Sequence, residues 1–287
     1  MRFLQHDALF WRKLAHLGAS KGPLWWLKYS PPAFGIAAAA LVPSARKTVA
    51  RNLERARGEA STIKNAIDVC RTFATYAGSL AESLAQGSKN HAAPNATIIG
   101  RANVEKELLR GKGLIIATAH TAGWDVAGTL LGQHLNAEVV IVMQSERDQR
   151  ARRLQDEGRE KAGVKIVHVD DDPLSSLSLL HHLKRGGIAA VQIDRLPSGM
   201  RGRDVWLLGQ KVGIPEGPLR LSQLTGAPIV PLFCARLGFR NYLLEAGPAV
   251  TVERRASNQD LDHAAQHLAD RVTDFVRSHP TQWFNFS

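Results

Sequence analysis

Short apolar runs alternate with longer amphipathic stretches between residues 114 and 193, and this alternation constrains the fold most. It predicts strands Leu114–Ala119, Glu138–Met143, Lys165–Val169 and Ile188–Ile193, separated by helices Trp124–His134, Arg147–Ala162 and Leu174–Lys184. Such alternation favours parallel strands, because each helix returns the chain to the same edge of the sheet. We therefore expect an α/β fold with a central, largely parallel mixed sheet flanked by helices.

A further helix is predicted from Ser61 to about Gln86, where apolar residues recur with a period of about 3.6. The 287 residues are an ordinary length for one α/β domain with a sizeable core. We expect one domain over residues 1–287, comprising a basic and aromatic helical segment at 1–57, a helix and loop at 58–95, and an α/β body at 96–287.

The chain is strongly basic, with 37 Lys and Arg against 26 Asp and Glu, a net charge of +11 and a pI of about 10.0. Such a charge attracts nucleic acid, an anionic membrane or an acidic carrier protein, and it does not choose among them. The segment 1–57 concentrates both cations and aromatic rings. They are Arg2, Arg12, Lys13, Lys21, Lys28, Arg46, Lys47, Arg51, Arg55 and Arg57, with Phe3, Phe10, Trp11, Trp25, Trp26, Tyr29 and Phe34.

Aromatic rings beside cations are typical of a segment that lies at a membrane interface. The alternative is a helical layer whose aromatic side chains pack on the sheet. The sequence contains no run of about 18 apolar residues, so we expect no transmembrane helix. The basic start is not followed by the apolar core of a signal peptide. Cys70 and Cys234 are typical of small buried residues in a reducing compartment. We expect peripheral attachment to the cytoplasmic face of a membrane.

The strand Leu114–Ala119 ends at His120, and Asp125 follows five residues later. A histidine acts as a general base when a carboxylate fixes its tautomer and stabilises its positive form. If Asp125 lies in the first turn of the next helix, it can reach the second ring nitrogen, with Gly123 giving the turn its freedom. The alternative is a buried histidine and a helix-start aspartate without a catalytic link.

The segment His120–Asp125 resembles the H-x4-D/E box of the glycerolipid acyltransferases, in the form found in bacterial lipid A late acyltransferases and mycobacterial phosphatidylinositol mannoside acyltransferases. Further blocks follow in the family's order: Ala190–Arg195, Val205–Gly209 with Ile214–Pro218, Thr225–Leu232 and His279–Trp283. The resemblance extends from about Asn52 to Phe286.

This resemblance implies transfer of a fatty acyl group from a thioester, carried by acyl carrier protein or coenzyme A, to a hydroxyl of a lipid or glycolipid. His120 would act directly, without an acyl-enzyme, and no cofactor or nucleic acid is expected. A lipid A-type acceptor is favoured; a lysophospholipid, phosphatidylinositol mannoside or specialised metabolite is the alternative. A different class, an inactive membrane- or nucleic-acid-binding module, would not need His120 and Asp125.

Asp194 follows the last predicted strand and is the third catalytic candidate, placed by the resemblance beside His120. Arg195 then belongs to a cationic loop suited to phosphate, together with Arg201 and Arg203. The alternative is a structural ion pair between Asp194 and Arg195.

Glu216 and Arg220 superficially resemble the phosphate-binding box of the glycerol-phosphate acyltransferases, which makes them candidates for substrate binding. Capping of the following helix is the preferred interpretation of Glu216. Arg147 falls where the family carries an arginine near the mouth of the active site, and a plain solvated helix face is equally compatible with its charged surroundings.

Overall fold

The structure is a computed structural model, which describes residues 17–86, 94–135, 137–143, 165–168 and 173–286. The strands are β1 Asn95–Ile99, β2 Leu114–Thr118, β3 Val139–Met143, β4 Lys165–His168, β5 Ile188–Gln192, β6 Gly202–Leu207, β7 Gln210–Pro215, β8 Ile229–Gly238 and β9 Asn241–Ala246. The helices are α1 Leu24–Leu41, α2 Pro43–Arg57, α3 Thr62–Leu84, α4 Arg101–Leu108, α5 Trp124–Leu135, α6 Pro173–Lys184, α7 Gly217–Thr225 and α8 Asn258–Ser278, followed by a 3₁₀ turn at Pro280–Gln282.

Seven strands form one sheet in the order β1-β9-β8-β2-β5-β3-β4, and β6 and β7 form a separate antiparallel hairpin. Pairing is parallel throughout the sheet except between β8 and β9. The expected largely parallel mixed sheet flanked by helices is confirmed. The predicted strands differ from the observed ones only at their ends, whereas the predicted helix Arg147–Ala162 lies outside the described residues.

Helices cover both faces of the sheet. One face packs against α2, α6, α7, α8 and the hairpin, and the other packs against α4 and α5. Every residue of β2 is buried, which explains why this strand is a continuous apolar run rather than an alternating one. The core therefore lies in two layers, with β2 and β5 side by side at its centre.

The N-terminal helices form a smaller layer of their own. The α1 and α3 helices meet at Gly35, where an added Cβ would lie 2.4 Å from the carbonyl oxygen of Phe73. Ser61 caps α3 by accepting a hydrogen bond from the backbone N–H of Lys64, as expected for a serine at a helix start. Glycine at position 35 thus allows a close helix crossing.

Among the described residues, no helix combines the length and the apolar character needed to span a bilayer.

Candidate active site

His120 and Asp194 come together because β2 and β5 are parallel neighbours. Thr118 pairs with Gln192 at the ends of these strands, and each candidate residue lies two positions further along its chain. The Nδ1 atom of His120 lies 2.7 Å from Oδ1 of Asp194, and the backbone N–H of His120 donates to the same oxygen at 3.1 Å. Reactive groups beyond the carboxyl ends of parallel strands are typical of α/β folds.

Asp194 is fully buried, yet it is held in its charged form. Burial raises the pKa of its carboxyl, but the hydrogen bond and charge of His120, the charge of Arg195 and the hydrogen bond from Trp283 lower that pKa to about 2. An ionised carboxylate only accepts hydrogen bonds, so Nδ1 of His120 carries the proton and Nε2 is the basic nitrogen. The pair therefore has the arrangement that a general base needs.

The expectation that Asp125 would hold the second nitrogen of His120 needs correction, because Asp194 is the carboxylate at Nδ1. Asp125 does lie in the first turn of α5, as predicted. Its neighbourhood in sequence suggested the partnership, whereas strand pairing supplies a partner 74 residues away. The catalytic role of Asp125 stays a prediction.

The turn after His120 needs glycine at position 123. Gly123 has φ +82°, and an added Cβ would lie 2.3 Å from the Tyr242 ring. The predicted freedom of this glycine is confirmed, and the close packing shows why a larger residue does not fit. The Tyr242 hydroxyl in turn donates to buried Glu82, which also accepts from Arg236 at 2.6 Å, so the turn rests on a buried polar network.

The C-terminal segment fixes the other side of this loop. The backbone N–H of Phe284 donates to the His120 carbonyl at 2.7 Å, and that of Ala122 donates to the Gln282 carbonyl at 2.9 Å. Between them, Nε1 of Trp283 donates to Oδ2 of Asp194 at 2.9 Å. Trp283 therefore positions the carboxylate, a role that the sequence analysis missed although the block His279–Trp283 was among its matches.

Arg195 lies beside the pair of His120 and Asp194, and it also holds the C-terminal segment by a hydrogen bond. Its Nη2 donates to the Phe284 carbonyl at 2.9 Å and lies 3.7 Å from Oδ2 of Asp194. The structural contact and the proximity to the site are therefore both present. Arg147, the other arginine expected near the site, lies outside the described residues.

Glu216 and Arg220 belong to a separate ion-pair cluster. The Glu216 carboxylate pairs with Arg203 at 3.1 Å and with Arg220, and Arg203 also pairs with Asp262. Glu216 occupies the N-cap position of α7 but makes no side-chain capping bond, so the preferred capping interpretation is wrong for its carboxylate. The interpretation of Arg203 as part of a free cationic loop is likewise not supported, because its charge is already paired.

Within the part of the chain that the structure describes, two apolar spaces and one polar cavity are of interest. A narrow apolar cavity of ≈ 20 Å³ lies between α5 and the sheet, bordered by Thr118, Trp124 and Gln192. A large apolar groove of ≈ 1030 Å³ runs between α1 and α3, with Phe34, Phe73, Leu80 and Phe286 in its wall. The polar cavity, of ≈ 230 Å³, has Asp194 and Trp283 in its wall.

The described part of the basic and aromatic segment exposes its rings. Trp25, Tyr29 and Phe34 of α1 are 63%, 62% and 65% exposed, and Lys28 lies over the Tyr29 ring. The alternative in which these aromatic side chains pack on the sheet is therefore wrong for these three. Trp11 lies outside the described residues.

The fold and this site define a class: an α/β protein in which a buried carboxylate holds one ring nitrogen of a histidine beyond the carboxyl ends of two parallel strands. The sequence profile of the bacterial lipid A biosynthesis acyltransferases matches residues 11–287. The chain belongs to this family.

Curated relatives include phosphatidylinositol mannoside acyltransferases. The protein of Mycobacterium tuberculosis is 24% identical over 184 residues, which are 64% of this chain and 56% of the relative. That of Mycolicibacterium smegmatis is 26% identical over 176 residues, or 60% of this chain and 55% of the relative. The chain thus spans about half the length of the curated relatives it matches.

Proposed function

We propose that the protein transfers a fatty acyl group from an acyl thioester to a hydroxyl of a lipid or glycolipid, with His120 as general base. The observation that carries the proposal is the 2.7 Å contact between Nδ1 of His120 and ionised Asp194, which makes Nε2 the proton acceptor. Family membership supports acyl transfer as the reaction.

The step balances on this one base. Nε2 of His120 takes the proton of the acceptor hydroxyl while its oxygen attacks the thioester carbonyl, and Asp194 stabilises the imidazolium that forms. The carbon–sulfur bond then breaks, and the imidazolium returns the proton to the leaving thiolate. A positioned base of this kind contributes about 10²- to 10⁴-fold to the rate. The transfer is direct, with no acyl-enzyme and no cofactor.

Acyl carrier protein and acyl-coenzyme A are the two donor candidates, since both present the acyl group as a thioester. The net charge of +11 favours either anionic carrier. The acceptor has two candidates. A lipid A-type acceptor agrees with the family, whereas a phosphatidylinositol mannoside acceptor agrees with the names of the curated relatives.

The proposal places the protein on the cytoplasmic face of the inner membrane as a peripheral enzyme. Exposed rings of α1 would lie at headgroup depth, while the basic segment meets anionic lipid at about 1 kcal/mol per cation near the surface. The large apolar groove between α1 and α3 opens beside these rings, and its lining suits the acyl chains of a membrane lipid.

Thiol release tests the chemistry. The protein is incubated with acyl-coenzyme A or acyl carrier protein thioester and a lipid acceptor, and free thiol is followed with a colorimetric reagent. His120→Ala should remove the acceptor-dependent release, while His267→Ala, at an exposed position of α8, should leave it unchanged. Unchanged release in folded His120→Ala, or an equal loss in folded His267→Ala, would contradict the role of His120. Absence of release by the unsubstituted protein would favour the binding-module alternative.

Vesicle sedimentation tests the membrane surface. Binding to anionic vesicles should weaken steeply as salt rises, because screened charges attract less. Trp25→Ser should weaken that binding, whereas Trp206→Ser, at an equally exposed tryptophan of the hairpin, should not. Equal effects of the two substitutions would remove α1 from the proposed membrane surface.

A further inference from the structure

The polar cavity that has Asp194 in its wall differs from the two apolar spaces in its polar and charged lining. Its walls come from α2, from the turn of the β6–β7 hairpin and from the C-terminal segment. Its lining includes Arg51, Asn52, Arg55, Asp194, Trp283 and Asn285. Its volume of ≈ 230 Å³ is several times the roughly 30 Å³ that one water molecule occupies in the liquid.

Two arginines of α2 contribute to the wall of this cavity. Arg51 and Arg55 lie one turn apart, both are exposed to solvent, and among the described residues Arg51 has no carboxylate partner. Within the described ranges the Arg55 side chain donates only to the Asn52 side chain, at 3.3 Å, and the Asn52 amide donates to the Asn285 carbonyl at 2.9 Å. These cations therefore differ from Arg203 and Arg220, whose charges Glu216 already compensates.

The one carboxylate in the cavity wall does not cancel these charges. Oδ1 of Asp194 is hydrogen-bonded to His120 and Oδ2 accepts from Trp283, while Nη2 of Arg195 lies 3.7 Å from Oδ2. The remaining polar lining consists of hydroxyl and amide groups, which donate readily to an anion. The cavity thus combines two unpaired planar cations with neutral donors, beside the residue that orients the base.

We propose that this cavity binds a phosphate group of a substrate, with Arg51 and Arg55 as its ligands. Guanidinium groups bind phosphate oxygens through paired N–H donors. A cavity lined by them therefore suits a phosphate better than an apolar acyl chain. The inference rests on the proposed function, in which a phosphate-bearing substrate binds near the pair of His120 and Asp194. The phosphate belongs either to the phosphopantetheine arm of the donor or to a phosphate-bearing lipid acceptor.

Direct binding tests the site without turnover. Inorganic phosphate is titrated into the His120→Ala protein, and the ³¹P linewidth is followed by NMR. Arg51→Gln should reduce phosphate affinity by about 10- to 100-fold, the range for losing a hydrogen bond to a charged group. Arg55→Gln should act in the same direction, and Arg51→Lys should retain part of the affinity. Arg254→Gln removes an equal charge at an exposed position and should change nothing.

Kinetics then identify the source of the phosphate. If it belongs to the donor, Arg51→Gln raises KM for acyl-phosphopantetheine but not for acyl-pantetheine, with kcat little changed. If it belongs to the acceptor, the KM increase follows the acceptor and disappears when a phosphate-free acceptor is used. Melting temperatures of the variants show whether each remains folded.

Phosphate binding that is equal in Arg51→Gln, Arg55→Gln and Arg254→Gln would overturn the proposed site. That result is distinguishable from failure of the proposed function, since thiol release by the unmodified protein is measured separately. Absence of thiol release with Arg51-dependent phosphate binding would refute the reaction and retain the anion site.

Discussion

The substitution Asp194→Asn separates the partner found in the structure from the one expected from the sequence. Asparagine keeps the shape of the side chain but offers one acceptor oxygen in place of two. In the native site, Oδ1 accepts from Nδ1 and from the backbone N–H of His120, and Oδ2 accepts from Trp283. The new amide group must therefore face a donor on one side, and it cannot stabilise the imidazolium.

Two magnitudes follow for Asp194→Asn. The kcat should fall by about 10²- to 10⁴-fold, which is the range for a positioned base and for the same substitution in Ser-His-Asp hydrolases. The fall of the Asp194 pKa from 3.8 to about 2 corresponds to roughly 2 kcal/mol favouring the folded, ionised state at neutral pH. The variant should therefore lose stability as well as activity.

The assay measures acceptor-dependent thiol release and urea unfolding on the same samples. Asp204→Asn, at an exposed aspartate of the hairpin, is the control for amide substitution in general. The double variant His120→Ala with Asp194→Asn should be no slower than His120→Ala alone, because residues that act as a unit are not additive.

One outcome would refute this reasoning. If folded Asp194→Asn retained most of the native kcat while Asp125→Asn fell to the level of His120→Ala, then Asp125 would be the residue that orients the base. The contact between Asp194 and His120 would in that case be structural only.

Three further outcomes are expected. The stability that Asp194 contributes should be present above pH about 4 and lost as pH falls through about 2, because its folded pKa lies below its unfolded value; urea titrations of the native protein and Asp194→Asn should converge there. Gly123→Ala should lower the melting temperature and kcat together, since its Cβ would overlap the Tyr242 ring, and unchanged values of both would contradict that clash. Glu82→Gln should cost about 3 to 5 kcal/mol of unfolding free energy by leaving Arg236 buried without its carboxylate, and a loss below 1 kcal/mol would show that the pair is dispensable.

The sequence by itself determined strands β2 to β5, some of the helices and one end of the candidate site. Apolar runs and helical periodicity predicted β2, β5 and α5 to within a few residues, because side-chain burial imprints a local pattern on each element. The position of His120 at the end of a buried strand, and the need for glycine at position 123, are also local properties that the chain displays directly.

Only the tertiary structure decided which groups meet His120. The pairing of Thr118 with Gln192 brings Asp194 from 74 residues away, and the C-terminal segment brings Trp283 from still further along the chain. The same packing makes Arg51 of α2 line a cavity together with this carboxylate, while Glu216 pairs with Arg203 in a separate ion-pair cluster. Sequence spacing carries no measure of strand register or helix docking, because both are set by burial of the whole core at once; that is why Asp125 was the expected partner and Asp194 the observed one.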